Sequence, residues 1–248
     1  MIRAVLFDLD DTLLDLNLTA FIGRYVAGAS RLLSKAARMS PLALGVPFAK
    51  SFMALEDAGR TDSLTNEELF HSVFYEACGI PLGDPAIADL MDFYEREIVP
   101  DFAEGLVAAR PQKGCREAVE GVWRLGLTCA LATNPTFSLA CDKARMGWAG
   151  LYEDDFAAIS TYSNSRRCKP SARYYQEFAN SLGVRVEECL MVGNDASRDF
   201  VRPDCGLRTA YVGHGRPGRA VWRGDLATLA RELPELVKRL DEAEAKGR

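Results

Sequence analysis

Eight residues near the N-terminus, Val5-Leu6-Phe7-Asp8-Leu9-Asp10-Asp11-Thr12, constrain this chain more than any others. An apolar run stops there and delivers two carboxylates one residue apart. If residues 2–7 form a buried strand, side-chain alternation sends Asp8 and Asp10 from the same side of its C-terminal end. Two carboxylates so placed repel each other unless a cation sits between them or one holds a proton. The pattern points to a divalent-cation site, to a nucleophile beside a general acid, or to both. Taken alone, an Asp-rich turn after a strand is also ordinary punctuation.

The rest of the chain reads as α/β. Apolar runs at 128–132, 189–192 and 209–212 predict buried strands, with a weaker one at 156–159. Helical patterns at 115–125, 138–145 and 171–182 alternate with them, as in βαβ units. Near-continuous apolar runs fit strands covered on both faces, hence a doubly wound, Rossmann-like parallel sheet. Residues 15–105 show no strand pattern. Apolar spacing of three and four predicts helices there at 21–37, 47–56, 65–77 and 84–98. Thr65-Asn66-Glu67-Glu68 reads as a capping box, and breaks fall at 40–41, 45–47, 59–62 and 79–81. The expected organisation is a catalytic core of residues 1–14 plus 106–248, interrupted by an all-helical domain over 15–105. An amphipathic helix over 226–243 reads as a solvated end.

Composition narrows the function. At 248 residues the chain is long enough for a core plus a smaller domain. A net charge of −5 without a basic arm argues against nucleic acid as a partner. A small phosphorylated ligand needs only one or two local cations. No apolar run approaches membrane-spanning length, and the N-terminus reads as a core strand, so no membrane partner and a cytoplasmic location are expected. The seven cysteines include no CxxC pair and read as reduced packing residues. The two histidines, His71 and His214, are far apart, which argues against a His-based triad; His71 reads as structural. Oligomeric state is not specified by the sequence.

In a doubly wound sheet, ligands bind at the C-terminal strand ends. After the first strand come Asp8, Asp10 and Thr12. After the 128–132 strand comes Thr133-Asn134-Pro135. After the 189–192 strand comes Gly193-Asn194-Asp195-Ala196-Ser197-Arg198-Asp199, and Cys168-Lys169-Pro170 precedes a helix. Pro170 suits a helix's first turn. Singly, each piece reads as a turn or cap; together they gather acids, hydroxyls and one lysine on one sheet edge.

In this order the pieces resemble the four motifs of the haloacid dehalogenase-like superfamily, over residues 1–14 and roughly 106–215. Asp8-Leu9-Asp10-Asp11-Thr12 matches DxDxT, Thr133 the second motif, Lys169 the third and Gly193 to Asp199 the acidic fourth. The resemblance implies that the helical insertion is a cap lying between motifs one and two. It implies that Asp8 attacks phosphorus and carries an aspartyl phosphate, and that Asp10 serves as general acid and then base. Thr133, Asn134 and Lys169 would hold the phosphoryl oxygens. Mg²⁺ would be bound by Asp8, the Asp10 main-chain carbonyl and a fourth-motif side chain, with Thr12 and Asp199 supporting these groups. That motif usually places Asp directly after Gly. Here Asn194 stands there and Asp195 follows, so either is open as a metal ligand, with register favouring Asn194. Asp11 occupies a position where glycine is common.

The implied function is a Mg²⁺-dependent phosphatase for a small phosphorylated metabolite. Asp10 favours this over carbon–halogen cleavage, because dehalogenating members lack the second aspartate. Three other readings stay open: a receiver-type phospho-acceptor, which needs neither insertion nor acid/base; a catalytically impaired binding protein, on account of Asn194; and phosphoryl transfer between sugar positions. Phe21, Arg24, Phe48, Lys50 and Phe52 are candidates for choosing the substrate, and Arg166 and Arg167 for adding positive charge near Lys169.

Overall fold

A computed structural model of the chain describes residues 1–246. In chain order the elements are β1 (Ala4–Phe7), β2 (Leu14–Asp15), α1 (Leu18–Ala37), α2 (Pro41–Leu55), α3 (Asn66–Cys78), α4 (Pro85–Phe93), β3 (Arg110–Pro111), α5 (Cys115–Arg124), β4 (Thr128–Leu131), α6 (Leu139–Trp148), α7 (Ala172–Ser181), β5 (Cys189–Gly193), β6 (Arg208–Val212), β7 (Ala220–Gly224) and α8 (Leu226–Lys246). No helix among the described residues is long and apolar enough to cross a membrane.

The apolar runs form a five-stranded sheet in the order β4-β1-β5-β6-β7, with every pairing parallel. β1 is central, and Phe7 lies opposite both Leu131 and Val192. Three strands therefore end level, and the residues that follow them emerge side by side. Alternation along β1 sends Val5 and Phe7 into one core and Ala4 and Leu6 into a second. The second core is closed by Tyr174, Tyr175 and Phe178 of α7. The first is closed by α5 and α8.

α8 is not a solvated end. Leu226, Leu229, Leu233, Leu236 and Leu240 are buried along one face, against α5. The amphipathic pattern expected over 226–243 is present, but its apolar face closes the core and does not face solvent. β7 also escaped the sequence reading. Its residues are only partly buried and include Arg223, so no apolar run marks this edge strand. Residues 156–159 form no full strand; Ala157 and Ser160 donate to β4 carbonyls, with one isolated bridge between Leu131 and Ile159.

The segment between β1 and β4 is helical, as the spacing predicts. The capping box is present: Glu68 N–H donates to Thr65 Oγ1 at 3.1 Å, and Thr65 N–H donates to Glu68 Oε2 at 2.8 Å. The expected break at 45–47 is not one. α2 starts earlier, where Ser40 Oγ accepts from Ala43 N–H at 3.2 Å and Pro41 takes the first turn, and the helix runs on through Pro47. Conversely, the helix expected over 84–98 changes character at Phe93. It passes into a π-helical turn, Tyr94–Ile98, and a 3₁₀ turn, Val99–Phe102. The turn buries Glu95, whose carboxylate accepts from Tyr25 Oη at 2.6 Å and from the Ser138 hydroxyl. Entry and exit of the segment run side by side as the antiparallel pair β2–β3, clasped by Arg110 and Asp15 at 2.6 Å.

Two outcomes follow from this packing. Leu233→Ala should cost about 2–5 kcal/mol in urea unfolding; a loss below about 0.5 kcal/mol would return α8 to a solvated role. Burial raises the Glu95 pKa, with the Ser138 and Tyr25 hydrogen bonds opposing the rise. A carboxyl so shifted contributes its stability below the ordinary glutamate range and loses it as pH climbs through the folded-state value. The urea midpoint of Glu95→Gln should therefore gain on the parent between pH 4 and pH 8; a constant gap would contradict the shift.

Candidate active site

The level strand ends place four sequence-remote pieces around Asp8. The Lys169 ammonium donates to Asp8 Oδ1 at 2.6 Å and to Asp199 Oδ1 at 2.8 Å. All three side chains are nearly sealed from solvent. Burial pushes the Asp8 carboxyl up and Lys169 opposes it. Burial likewise pushes Asp199 up to about 6, again against the pull of Lys169. Burial alone would lower the lysine, but Asp199 and Asp8 outweigh it and keep the ammonium charged. Asp199 Oδ2 also accepts from Asp195 N–H at 2.8 Å. This approach is why position 193 is glycine, since any Cβ there would land on the Asp199 carboxylate.

Thr12 is fully buried, and its hydroxyl lies 3.2 Å from Asp8 Oδ2 and 3.1 Å from Asn194 Oδ1. Asn194 thus presents its amide oxygen beside the first aspartate. Asp195 does not: its carboxylate turns back to Ser197 N–H at 2.7 Å and Ser197 Oγ at 2.6 Å. Between the two fourth-motif alternatives, the fold brings only Asn194 to Asp8. Asp11 has φ 59°, a left-handed conformation that glycine and aspartate tolerate better than most residues, which accounts for the residue types at this turn.

Asp10 departs from the strand-alternation expectation. β1 ends at Phe7, so the pleat no longer sets its direction. Its Oδ2 accepts from Arg145 Nη1 at 2.5 Å, and the Arg145 Nη2 donates to Asp142. Arg145 is fully buried, with its guanidinium 4.9 Å from the Phe137 ring centre and 5.5 Å from that of Phe21. Sequence reasoning missed Arg145 and Asp142. Three residues apart on a helix, they look like a surface ion pair; the only signal was their place among Cys141 and Met146 on the buried face.

Thr133 is buried in the same turn, its carbonyl accepting from Ser160 Oγ and Tyr174 Oη, each at 2.9 Å. The Asn134 side chain is committed at both ends: Nδ2 donates to Glu56 Oε1 at 3.0 Å, and Oδ1 accepts from Lys169 N–H at 3.2 Å. Of the residues expected to choose the substrate, Phe21 and Phe48 are core, Arg24 binds the carbonyls of Phe102 and Glu104, and Lys50 is exposed. Only Phe52 lines the cavity at Asp10. Arg166 and Arg167 are spent on carbonyls of the 60–63 loop.

That cavity has a volume of about 390 Å³ and is lined by Asp10, Asn134, Arg145 and Arg198 together with α1 and α2. A larger cavity of about 750 Å³ lies beyond the Phe52–Phe137 contact and holds none of the motif residues. Chemistry, not volume, identifies the site.

The donor set can be tested against a metal. Asp8, Asp199, Asp10 and Asp142 share two cations, Lys169 and Arg145. Negative charge is in surplus at the sheet edge, and Asp10 Oδ1 is buried without a hydrogen-bond partner. No three His, Cys, Asp or Glu side chains converge as a metal-binding group among the described residues. What does converge is oxygen only: the Asp8 carboxylate, the Asn194 amide and the adjoining backbone. Hard oxygens with surplus negative charge fit Mg²⁺.

A family model described as haloacid dehalogenase-like hydrolase matches residues 2–200. The chain belongs to that family. Phosphoglycolate phosphatase of Agrobacterium fabrum is 32% identical over 130 residues, 50% of this chain and 54% of that protein. Pyrophosphatase PpaX of Halalkalibacterium halodurans is 25% identical over 128 residues, 51% of this chain and 58% of that protein. The chain thus spans little more than half the length of these relatives. Among solved structures, 2-haloacid dehalogenase from Pseudomonas syringae pv. Tomato DC3000 has a TM-score of 0.58 at 20% identity, covering 96% of this chain and 99% of that one. A HAD phosphatase from Thermococcus onnurineus has a TM-score of 0.56 at 18% identity, covering 95% and 98%. A dehalogenase and a phosphatase share this architecture, so the architecture does not choose the reaction.

Removing Arg145 strands two carboxylates, Asp142 and Asp10. Arg145→Met should destabilise by about 3–5 kcal/mol in urea unfolding. Adding Asp142→Leu should recover part of that loss, because one of the two orphaned charges leaves with it. A double variant as unstable as the single one would show that the cluster is not held by charge.

Proposed function

We propose that the protein hydrolyses a small phosphate monoester, with Asp8 as nucleophile and residues 15–105 as the cap over the site. The observation that carries this reading is Asp10: a second carboxylate near the first, on an arginine it shares with Asp142, with one oxygen facing no partner. An alkoxide is a poor leaving group without a proton, whereas a halide needs none. A general acid at this position serves ester cleavage.

In the proposed reaction an Asp8 oxygen forms a bond to phosphorus as the ester P–O bond breaks, and Asp10 delivers its proton to the departing oxygen. Asp10, now ionised, takes a proton from the water that attacks the aspartyl phosphate, and phosphate release restores Asp8. Lys169 has three N–H donors and two carboxylate partners, which leaves one donor for a phosphoryl oxygen. The Thr133 hydroxyl adds a second donor. Asn134 acts differently from the sequence expectation: its amide holds Glu56 and the Lys169 backbone in place. Asp8, the Asp10 carbonyl and Asn194 would hold Mg²⁺, which when bound offsets phosphoryl charge so that a carboxylate can approach an anion. All seven cysteines are free thiols, in keeping with a reducing, cytoplasmic setting.

Release of p-nitrophenol from p-nitrophenyl phosphate tests the reading. Turnover should continue over many cycles, stop in EDTA and return with Mg²⁺. Asp8→Asn should lose about a thousandfold or more in kcat, and Asp10→Asn about a hundred- to ten-thousandfold. Stoichiometric labelling without turnover would instead make the chain a phospho-acceptor, and metal-independent turnover would remove Mg²⁺ from the account.

A further inference from the structure

We infer that the organic part of the substrate is apolar, an alkyl or aryl group rather than a sugar or a carboxylate-bearing acid; this rests on the phosphatase reading. The cavity at Asp10 is walled on the cap side by Leu18, Ile22 and Val26 of α1 and by Ala49, Phe52 and Met53 of α2. The first three recur every fourth residue, and the others fall three and four apart, so two helix faces converge on one space. None of the six carries a side-chain hydrogen-bonding nitrogen or oxygen. Met53 is 74% exposed, an apolar surface left uncovered at the mouth of a polar site.

The cations that line the cavity are already paired with carboxylates. Arg145 is shared by Asp10 and Asp142. Arg198 Nη1 donates to Glu56 Oε1 at 2.8 Å, and Glu56 also accepts from Asn134. Among the described residues, no cation lining the cavity lacks a carboxylate partner, and the Thr136 hydroxyl is the one simple alcohol on its wall. A carboxylate such as that of phosphoglycolate would find no unpaired cation here. Each sugar hydroxyl left unpartnered against this wall would lower kcat/KM about ten- to a hundredfold. An alkyl chain would cover surface that now faces water.

The test is phosphate release from methyl, n-butyl and n-hexyl phosphate, against glycerol 3-phosphate and phosphoglycolate, using the whole chain with Mg²⁺. The alkyl esters have leaving groups of similar basicity, so differences report the cavity. kcat/KM should rise about threefold per added methylene until the cavity is filled. n-Hexyl phosphate should exceed both polar esters by about tenfold or more. A flat alkyl series, or a polar ester that matches n-hexyl phosphate, overturns the inference and leaves the hydrolase reading standing. No phosphate from any ester, p-nitrophenyl phosphate included, overturns both. Met53→Arg, at an exposed position that tolerates the change, supplies the missing cation. It should raise the phosphoglycolate-to-hexyl ratio of kcat/KM about tenfold; an unchanged ratio would remove α2 from the wall.

Discussion

The site depends first on one buried ammonium between two carboxylates. Lys169 precedes α7, Asp8 follows β1 and Asp199 follows β5, so this ion triad fastens three crossover loops at a single point. Burying three charges is expensive, and their mutual attraction offsets that cost only with close contact and full hydrogen bonding. Both conditions are met here. Contacts of 2.6 and 2.8 Å join the three, Thr12 and the Asp195 N–H cover further carboxylate oxygens, and glycine at 193 makes room. The same triad leaves one lysine donor and a surplus of negative charge, which together describe a place for an anion and a cation to meet.

Asp10 takes a different cation from Asp8, although the two carboxylates lie close enough for Asp10 to help raise Asp8. Lys169 serves Asp8 and Asp199. Asp10 is held by Arg145, which is stacked on Phe21 from α1 and Phe137 from the core. Neighbouring carboxylates in distinct surroundings can take distinct roles, one as nucleophile and one as proton carrier. The arrangement also links the helical segment to the chemistry, because Phe21 forms part of the wall that fixes the arginine.

Much of this was legible in the sequence because the central strands are buried on both faces and so read as unbroken apolar runs. Asp8, Thr12 and Asp199 were found through their positions after those runs, and Lys169 through its place before a helix. The hidden parts share a physical cause. β7 lies at a sheet edge and is only partly buried, so its composition carries little signal. α8 hides five buried leucines among charges that solvent covers. Arg145 and Asp142 are polar residues on the inward face of a helix, and burial of a charged pair cannot be told from exposure by spacing alone. The choice between Asn194 and Asp195 turned on a loop whose acid caps its own backbone, a decision made by three residues of turn geometry.

The helical segment is held to the core by contacts of very different strength. On the α1 side, Phe21 and Tyr25 pack against Phe137, and Phe21 also meets Trp148, with ring centres 5.3–5.7 Å apart. Such pairs add about 0.5–1.5 kcal/mol each beyond the area they bury. On the α2 side Phe52 also meets Phe137, with ring centres 5.3 Å apart, and Glu56 reaches Arg198 with both side chains about two-fifths exposed. An ion pair of that kind contributes about 0–1 kcal/mol. The Glu56–Arg198 pair therefore adds little to a join that the aromatic contacts on Phe137 dominate. Phe137 meets both helices and the Arg145 guanidinium, so the ring that joins the segment to the core also seats the cation that holds Asp10.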